Sequence, residues 1–396
     1  MTRPIRTLLF STLYPSEVRP VHGIFVETRL RELLKNGQVE TRVVAPVPWF
    51  PFTGERFGEY GQFAATPRLE SRDGIEVHHP RYFLPPQIGM NIAPYSLAIA
   101  ALPLIRRLIR QGFDFDLIDA HYYYPDGAAA GFIARKLGKP FVVTARGTDL
   151  NLIPRYRFPR KLILDTAQRA AASIGVCKAL MDSLADLGGE PAKLNVFRNG
   201  VDLDRFVPQP RDAARKRLGL PADRRQLLSV GHLIERKGHH IAIEALPLLP
   251  AGVDLTIVGT GPERAALEAL VARLGVTQRV RFAGMVPQRE LKWWYSAADI
   301  LLLCSSREGW ANVLLEGMAC GTPVVATNIW GTPEVVSTPD VGLLMRERTA
   351  HALAESVQSL FAAAPERGKV RRHAEGFSWE QTTQNQLHLF RDILNR

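Results

Sequence analysis

Glu308 and Glu316 stand in the segment Arg307-Glu-Gly-Trp-Ala-Asn-Val-Leu-Leu-Glu-Gly-Met-Ala-Cys-Gly-Thr-Pro323, with seven residues between them. The segment follows an apolar run ending at Cys304 and reads as a loop that turns into a helix. An ionised carboxylate only accepts hydrogen bonds, which suits a ligand rich in hydroxyls. Two plain surface acids are the competing reading. The neighbours of Glu316 weigh against it: Val313, Leu314, Leu315, Met318 and Ala319 make the helix largely apolar. A glutamate there is either buried with a partner or lining a site.

Cations with the opposite task occur in Gly231-His-Leu-Ile-Glu-Arg-Lys-Gly238, where Arg236 and Lys237 follow a strand and precede a helix. Arginine as a fork and lysine as a point charge could clamp a diphosphate there. Elsewhere the pair would read as solvated surface charge. Gly23 opens another helix after the first strand, where a glycine lets backbone N–H groups approach an anion or simply makes a turn. His121 ends one strand, and Arg146-Gly-Thr-Asp149 ends the next, so both point to the same edge of a sheet. Gly259-Thr-Gly-Pro262 lacks the third glycine of a dinucleotide fingerprint and reads as a tight turn. Two Asp-x-Asp matches, Asp114/Asp116 and Asp202/Asp204, have a spacing that arises readily by chance.

The elements that must position these groups alternate. Short apolar runs in the first half are Thr7–Thr12, Thr41–Ala45, Ile75–His79, Leu117–His121, Phe141–Ala145, Ser173–Cys177 and Asn195–Arg198. In the second half they are Leu227–Gly231, Leu255–Gly259, Val280–Gly284, Ile300–Cys304, Val324–Thr327 and Leu343–Met345. Runs without polar alternation fit strands buried on both faces, and helical segments between them imply parallel, doubly wound sheets. The expected class is α/β with two Rossmann-like domains in tandem. The turn residues and prolines from Asn199 to Pro210 mark the boundary. We assign 1–203 to a first Rossmann-like domain, 204–376 to a second and 377–396 to a C-terminal helix. Ligands in such folds sit beyond the carboxyl ends of strands, and the cleft facing two such domains is the expected site.

With 396 residues the chain is long for one core and suited to two domains. Its three cysteines, Cys177, Cys304 and Cys320, form no CxxC pair, which argues against a disulfide framework or a zinc site and for a reducing compartment. The N-terminal apolar run reads as a first strand more readily than as a signal peptide. The apolar stretch Ile92–Ile105 contains Pro94 and Pro103 and falls short of the roughly 20 residues of a membrane span. A buried or interfacial helix is expected. Net charge is +11, with +8 in residues 1–200 and +3 in the remainder, so the first half suits an anionic partner. No zinc-finger, RNP-like or basic-zipper pattern points to nucleic acid. Arg106, Arg107, Arg110 and the stretch Pro154-Arg-Tyr-Arg-Phe-Pro-Arg-Lys161 interleave cations with apolar groups, which suits an anionic membrane surface; a solvated basic face is the alternative.

Taken together, these motifs resemble the retaining glycosyltransferases of family 4, which have the GT-B fold. The likeness spans nearly the whole chain: the Glu308–Glu316 segment looks like the family's E-x7-E signature. Further matches are Arg198–Phe206, Leu255–Pro262 and Arg281–Gly284. The resemblance implies transfer of a sugar from a nucleotide-diphosphate sugar, with retention of configuration and without a metal or other cofactor. It implies that Glu308 meets hydroxyls of the donor sugar, with Gly309, Trp310 and Ala311 beside it, and that Glu316 accepts from the ribose hydroxyls. Arg236 and Lys237 would hold the diphosphate, helped by backbone N–H groups near Gly23 and around Asn312, Val313 and Leu314. The base would lie near Gly284, Met285 and Pro287, so the resemblance makes 1–203 the acceptor-side domain, 204–376 the nucleotide-sugar domain and 377–396 a helix returning toward the first domain. His121 would stand near the transferred sugar, with Arg146 and Asp149 on the acceptor side. Common members have Gly-Phe-Gly where this chain has Gly309-Trp310-Ala311, and arginine where it has His232.

The chemistry behind these roles is direct. Breaking the anomeric C–O bond builds positive charge on the ring and negative charge on the departing diphosphate. Cations must therefore face the phosphates and carboxylates the hydroxyls. No covalent nucleophile is assigned. The expected acceptor is a glycan, a lipid-linked sugar or a small molecule, in cell-surface polysaccharide or glycolipid synthesis, with the enzyme cytoplasmic or peripheral on the cytoplasmic membrane face. The rivals are a sugar-nucleotide epimerase, a phosphorylase on the same scaffold, and a non-catalytic scaffold of a polysaccharide-assembly complex.

Overall fold

The computed structural model describes residues 3–85 and 89–395, which fall into two compact units. The first comprises Met1–Arg198 and Glu380–Arg396, and the second Asn199–Trp379. The chain thus leaves the first unit after Arg198 and re-enters it at Glu380.

In the first unit the strands are β1 (Ile5–Phe10), β2 (Val39–Val44), β3 (Val47–Pro48), β4 (Leu69–Arg72), β5 (Ile75–His78), β6 (Arg81–Tyr82), β7 (Leu117–His121), β8 (Phe141–Ala145), β9 (Ala172–Gly175) and β10 (Leu194–Val196). Eight of them form one sheet in the order β10-β9-β8-β7-β1-β2-β5-β4; β3 and β6 pair separately. All neighbours in the large sheet run parallel except β4, which folds back on β5. The turn is Asp73-Gly74, both with positive φ, the conformation a two-residue hairpin requires. β7 and β8 are buried at every residue, as their unbroken apolar runs imply.

The helix Trp379–Leu394 closes one face of this sheet. Its Leu387, Phe390 and Ile393 pack with Leu117, Val142 and Ile174 in one core cluster. The helix Gly89–Arg110 takes in both Pro94 and Pro103. It is long and apolar enough to cross a membrane by length and composition, and a third of its most apolar window is buried in the unit.

The second unit carries β11 (Arg225–Val230), β12 (Val253–Val258), β13 (Val280–Gly284), β14 (Ile300–Leu303), β15 (Val324–Thr327) and β16 (Gly342–Met345). They form one parallel sheet, ordered β13-β12-β11-β14-β15-β16. Leu255, Ile257, Ile300 and Leu302 of this sheet share a core with Ile241, Leu267, Leu353 and Val357 of the covering helices. Both large sheets therefore have the doubly wound order, in which the first strand lies inside the sheet and chain direction across the sheet reverses beside it.

Candidate active site

That reversal creates a crevice at the carboxyl ends of two adjacent strands. In the second unit the two strands are β11 and β14. The loop after β11 holds Gly231 to Gly238, and the loop after β14 holds Cys304 to Ala311. The loops are tied together: the Ser306 N–H donates to Arg236 O at 2.8 Å, and a Cβ on Gly238, whose φ is +71°, would run into the Cys304 backbone. Gly238 is thus required both by its conformation and by the approach.

The crossing brings together three of the residues singled out from sequence. Lys237 Nζ lies 2.6 Å from Glu308 Oε1, and Arg236 Nη1 lies 3.7 Å from the same oxygen. The Arg236 guanidinium also donates to Arg307 O at 2.8 Å. Side-chain exposure is 18% for Lys237 and 10% for Glu308, so the pair is largely withdrawn from water and weakly screened. Two cations around one carboxylate leave a net positive charge in a crevice whose floor is the sheet edge.

Glu316 lies in the helix Asn312–Ala319. Its Oε2 accepts a hydrogen bond from the Tyr295 hydroxyl at 2.7 Å. Burial raises its pKa, while the Tyr295 bond and Arg205 pull it back. Trp310 and Ala311 are buried, and the Trp310 ring meets Phe377 at 5.8 Å. Asn312 Oδ1 accepts from Asn199 Nδ2 at 3.2 Å. The N–H groups of Asn312 and Leu314 already donate to Trp310 O and Ala311 O. Gly284, at φ +72°, ends β13, and Met285 beyond it is exposed. Pro287 follows on the same carboxyl edge, two strands from β11.

In the first unit the corresponding strands are β1 and β7. Asp126, in the loop after β7, accepts from the Thr12 N–H and lies within hydrogen-bond distance of the Thr12 hydroxyl, each at 2.9 Å. Burial raises the Asp126 carboxyl to about 8. Gly23, at φ +67°, precedes the helix Ile24–Leu34 at the end of the loop after β1. It is the one donor-side residue of the sequence analysis that lies in this unit.

His121, Arg146 and Asp149 form one buried cluster. Arg146 Nη2 is 2.5 Å from His121 Nδ1. A guanidinium only donates, so His121 accepts at Nδ1 and carries its proton on Nε2, 3.4 Å from Asp119 Oδ2. Burial lowers the imidazole to about 4, which keeps it neutral. At 1% exposure and with both nitrogens engaged, the ring holds Arg146 and offers no free atom to a ligand in this structure. The Asp149 carboxylate accepts from the N–H groups of Tyr123, Arg146 and Gly147, which shapes the loop after β8.

Three groups in these sites escaped sequence reading. Tyr295 sits in an aromatic helix, Lys-Trp-Trp-Tyr, that reads as core. Asp126 sits in Pro-Asp-Gly, which reads as a turn. Asp119 reaches through Gln386, whose amide donates to Asp119 Oδ2 at 3.0 Å while its oxygen accepts from Arg29 Nε at 3.0 Å. No local spacing could reveal that contact. The Asp-x-Asp pairs are spent elsewhere: Asp114 on Lys139, Asp116 on Arg3, and Asp202 on Arg205. Among the described residues no group of three or more His, Cys, Asp or Glu side chains could hold a metal ion.

Comparison with known proteins agrees with this geometry. Residues 23–205 match the family described as Glycosyltransferase Family 4, and residues 210–376 match Glycosyl transferases group 1. TuaC of Bacillus subtilis (strain 168), named for teichuronic acid biosynthesis, is 30% identical over 89% of this chain and 88% of its own. A D-inositol 3-phosphate glycosyltransferase of Catenulispora acidiphila is 29% identical over 86% and 89%. Among solved structures, sucrose-phosphate synthase of Thermosynechococcus elongatus superposes with a TM-score of 0.79, 21% identity and coverage of 99% and 100%. Anabaena HepE in complex with UDP gives 0.73, 20%, 98% and 100%.

Proposed function

This chain belongs to the group 1 glycosyltransferases of family 4, and from that premise we propose that it transfers a sugar, with retention of configuration, from a nucleotide-diphosphate sugar held by its second unit. The observation that carries the reading is the meeting of Arg236, Lys237 and Glu308 where β11 and β14 diverge. Two cations are suited to the charge that grows on a leaving diphosphate. A group of this kind, aimed at developing charge, contributes about 10²–10³ to turnover. Glu308 would meet the donor sugar and favour the positive charge on its ring. Glu316 would take the ribose, and the base would lie along Gly284 to Pro287. Solved relatives of the same fold were captured with UDP and UDP-glucose, which supports a nucleotide sugar as donor.

No metal takes part in this proposal; Arg236 and Lys237 perform the charge neutralisation. The ion pair between Lys237 and Glu308 must then loosen or be shared as the diphosphate arrives, because a lysine ammonium has three donors and can serve both anions. In the first unit, Arg146 and the loop shaped by Asp149 would face the acceptor, with His121 holding Arg146 in place.

The acceptor is proposed to be a glycan, a lipid-linked sugar or a small molecule in cell-surface polysaccharide or glycolipid synthesis; the name of one relative, for teichuronic acid biosynthesis, supports the first, and that of another, for D-inositol 3-phosphate, the last. A cytoplasmic enzyme resting on anionic lipid through Arg106, Arg107, Arg110 and the basic helix Arg157–Arg169 fits that role. Cosedimentation with anionic vesicles at low and moderate salt tests this contact; no binding at either salt would end it. The central test is transfer from a panel of UDP-, GDP- and ADP-sugars, with anomeric configuration read by NMR. An inverted product would refute retention, and full activity in Glu308→Ala would refute the site.

A further inference from the structure

We infer that Tyr295 positions Glu316 for the ribose and so sets the preference of this site for ribonucleotides over deoxyribonucleotides. The inference rests on the ribose role given to Glu316 above. The Tyr295 hydroxyl donates to Glu316 Oε2 at 2.7 Å, which leaves Oε1 as the oxygen open to a ligand hydroxyl. A vicinal diol is read well only by an acceptor of fixed orientation, and a carboxylate at the end of a glutamate chain rotates freely unless something holds it.

Tyr295 is built to hold it. The ring is 0% exposed, and Phe206 packs edge-on against it at 6.0 Å between centroids. The Thr322 hydroxyl donates to Tyr295 O at 2.6 Å and fixes the backbone of the helix Leu291–Ala297. Gly317, next to Glu316, admits the close fit: a Cβ there would lie 3.6 Å from Tyr295 Cδ1 and 2.5 Å from Leu301 Cδ2. The phenol cannot follow a moving carboxylate, so the carboxylate must stay with the phenol. Burial and the neighbouring Glu316 push the Tyr295 hydroxyl well above its usual pKa, so it remains a donor throughout the working range.

Calorimetric binding of UDP and 2′-deoxy-UDP to the full chain tests this, or of the GDP or ADP pair if the donor panel selects one of those. In Glu316→Gln the preference for the ribonucleotide should collapse. In Tyr295→Phe, UDP should bind about tenfold more weakly and 2′-deoxy-UDP nearly as before, so most of the preference is lost with the fold intact. A general structural lesion would weaken both nucleotides alike. Thr322→Val, which loosens the same helix, should lower the ratio in the same direction by a smaller factor. An unchanged ratio in Tyr295→Phe, or in Thr322→Val should Tyr295→Phe not fold, beside a collapsed ratio in Glu316→Gln would overturn the role of Tyr295. An unchanged ratio in Glu316→Gln would overturn the ribose reading itself, and this inference with it.

Discussion

Replacing Glu308 by glutamine should make the protein bind a nucleoside diphosphate more tightly while it loses turnover. The Lys237 ammonium lies 2.6 Å from Glu308 Oε1. A phosphate arriving on the far side of Lys237 would stand about 5 Å from that carboxylate. At an effective dielectric of about 20, two unit charges so placed repel by about 3 kcal/mol. Lys237 and Arg236 stand close to that carboxylate and compensate part of this, leaving a net penalty of about 1–2 kcal/mol. Glutamine keeps the shape and one acceptor but not the charge. The dissociation constant should therefore fall about 5- to 30-fold. Titration calorimetry with the nucleoside diphosphate that best stabilises the protein reads this directly, and initial rates with its sugar should drop by about 10²-fold or more. Equal or weaker binding by the glutamine variant would refute the idea that the same cations serve Glu308 and the phosphates.

Other perturbations test the frame around the site. The Asp126 carboxyl is raised to about 8, above its unfolded value of about 3.9, so the folded state holds a proton that the unfolded state has lost. Stability from this group is complete below the lower value and declines as pH rises to the upper one, by about 1.4 kcal/mol per pH unit. Denaturant melts of Asp126→Asn, which mimics the protonated acid, should stay nearly flat where the parent falls, so that the variant gains about 3 kcal/mol on the parent between pH 6 and pH 8; parallel profiles would remove Asp126 as the cause. Phe390→Ala in the C-terminal helix empties a fully buried position and should cost about 3–5 kcal/mol, read as a lower melting temperature; a loss under about 1 kcal/mol would mean the helix docks weakly. Burial pushes the Cys304 and Cys320 thiols up to about 12, so both should resist alkylation near pH 8 until the protein is unfolded; rapid labelling of the native protein would contradict that.

The strands were legible because burial on both faces leaves unbroken apolar runs. Leu117–His121 and Phe141–Ala145 coincide with their expected limits to the residue. β4 was not, since its Leu-Glu-Ser-Arg sequence lies at a sheet edge and has no such run, although the Asp73-Gly74 turn that makes it was there to be read. The helix Gly89–Arg110 extends well past the apolar stretch that suggested it, because Arg107 and Arg110 end the apolar run yet continue the helix through its last turn. At the site, the pairing of Lys237 with Glu308 across 71 residues follows from strand order, which motif types suggest but do not state. Sequence reading separated the acids from the cations, one set for hydroxyls and one for phosphates. In the structure Glu308 stands against both cations. Of the partners of His121, Asp119 stands two residues earlier in β7 and shares its face by the strand period, whereas Arg146 reaches it from beyond β8 only through the pairing of the two strands.

One binding measurement tests the diphosphate role of Arg236 and Lys237 most directly: thermal shift with UDP-, GDP- and ADP-sugars on the parent chain and on Arg236→Ala/Lys237→Ala. A sugar nucleotide at about 100 times its dissociation constant should stabilise the parent by about 2.7 kcal/mol and leave the double variant unshifted. Equal stabilisation of both proteins, or none of the parent by any of the three donor classes, would contradict it.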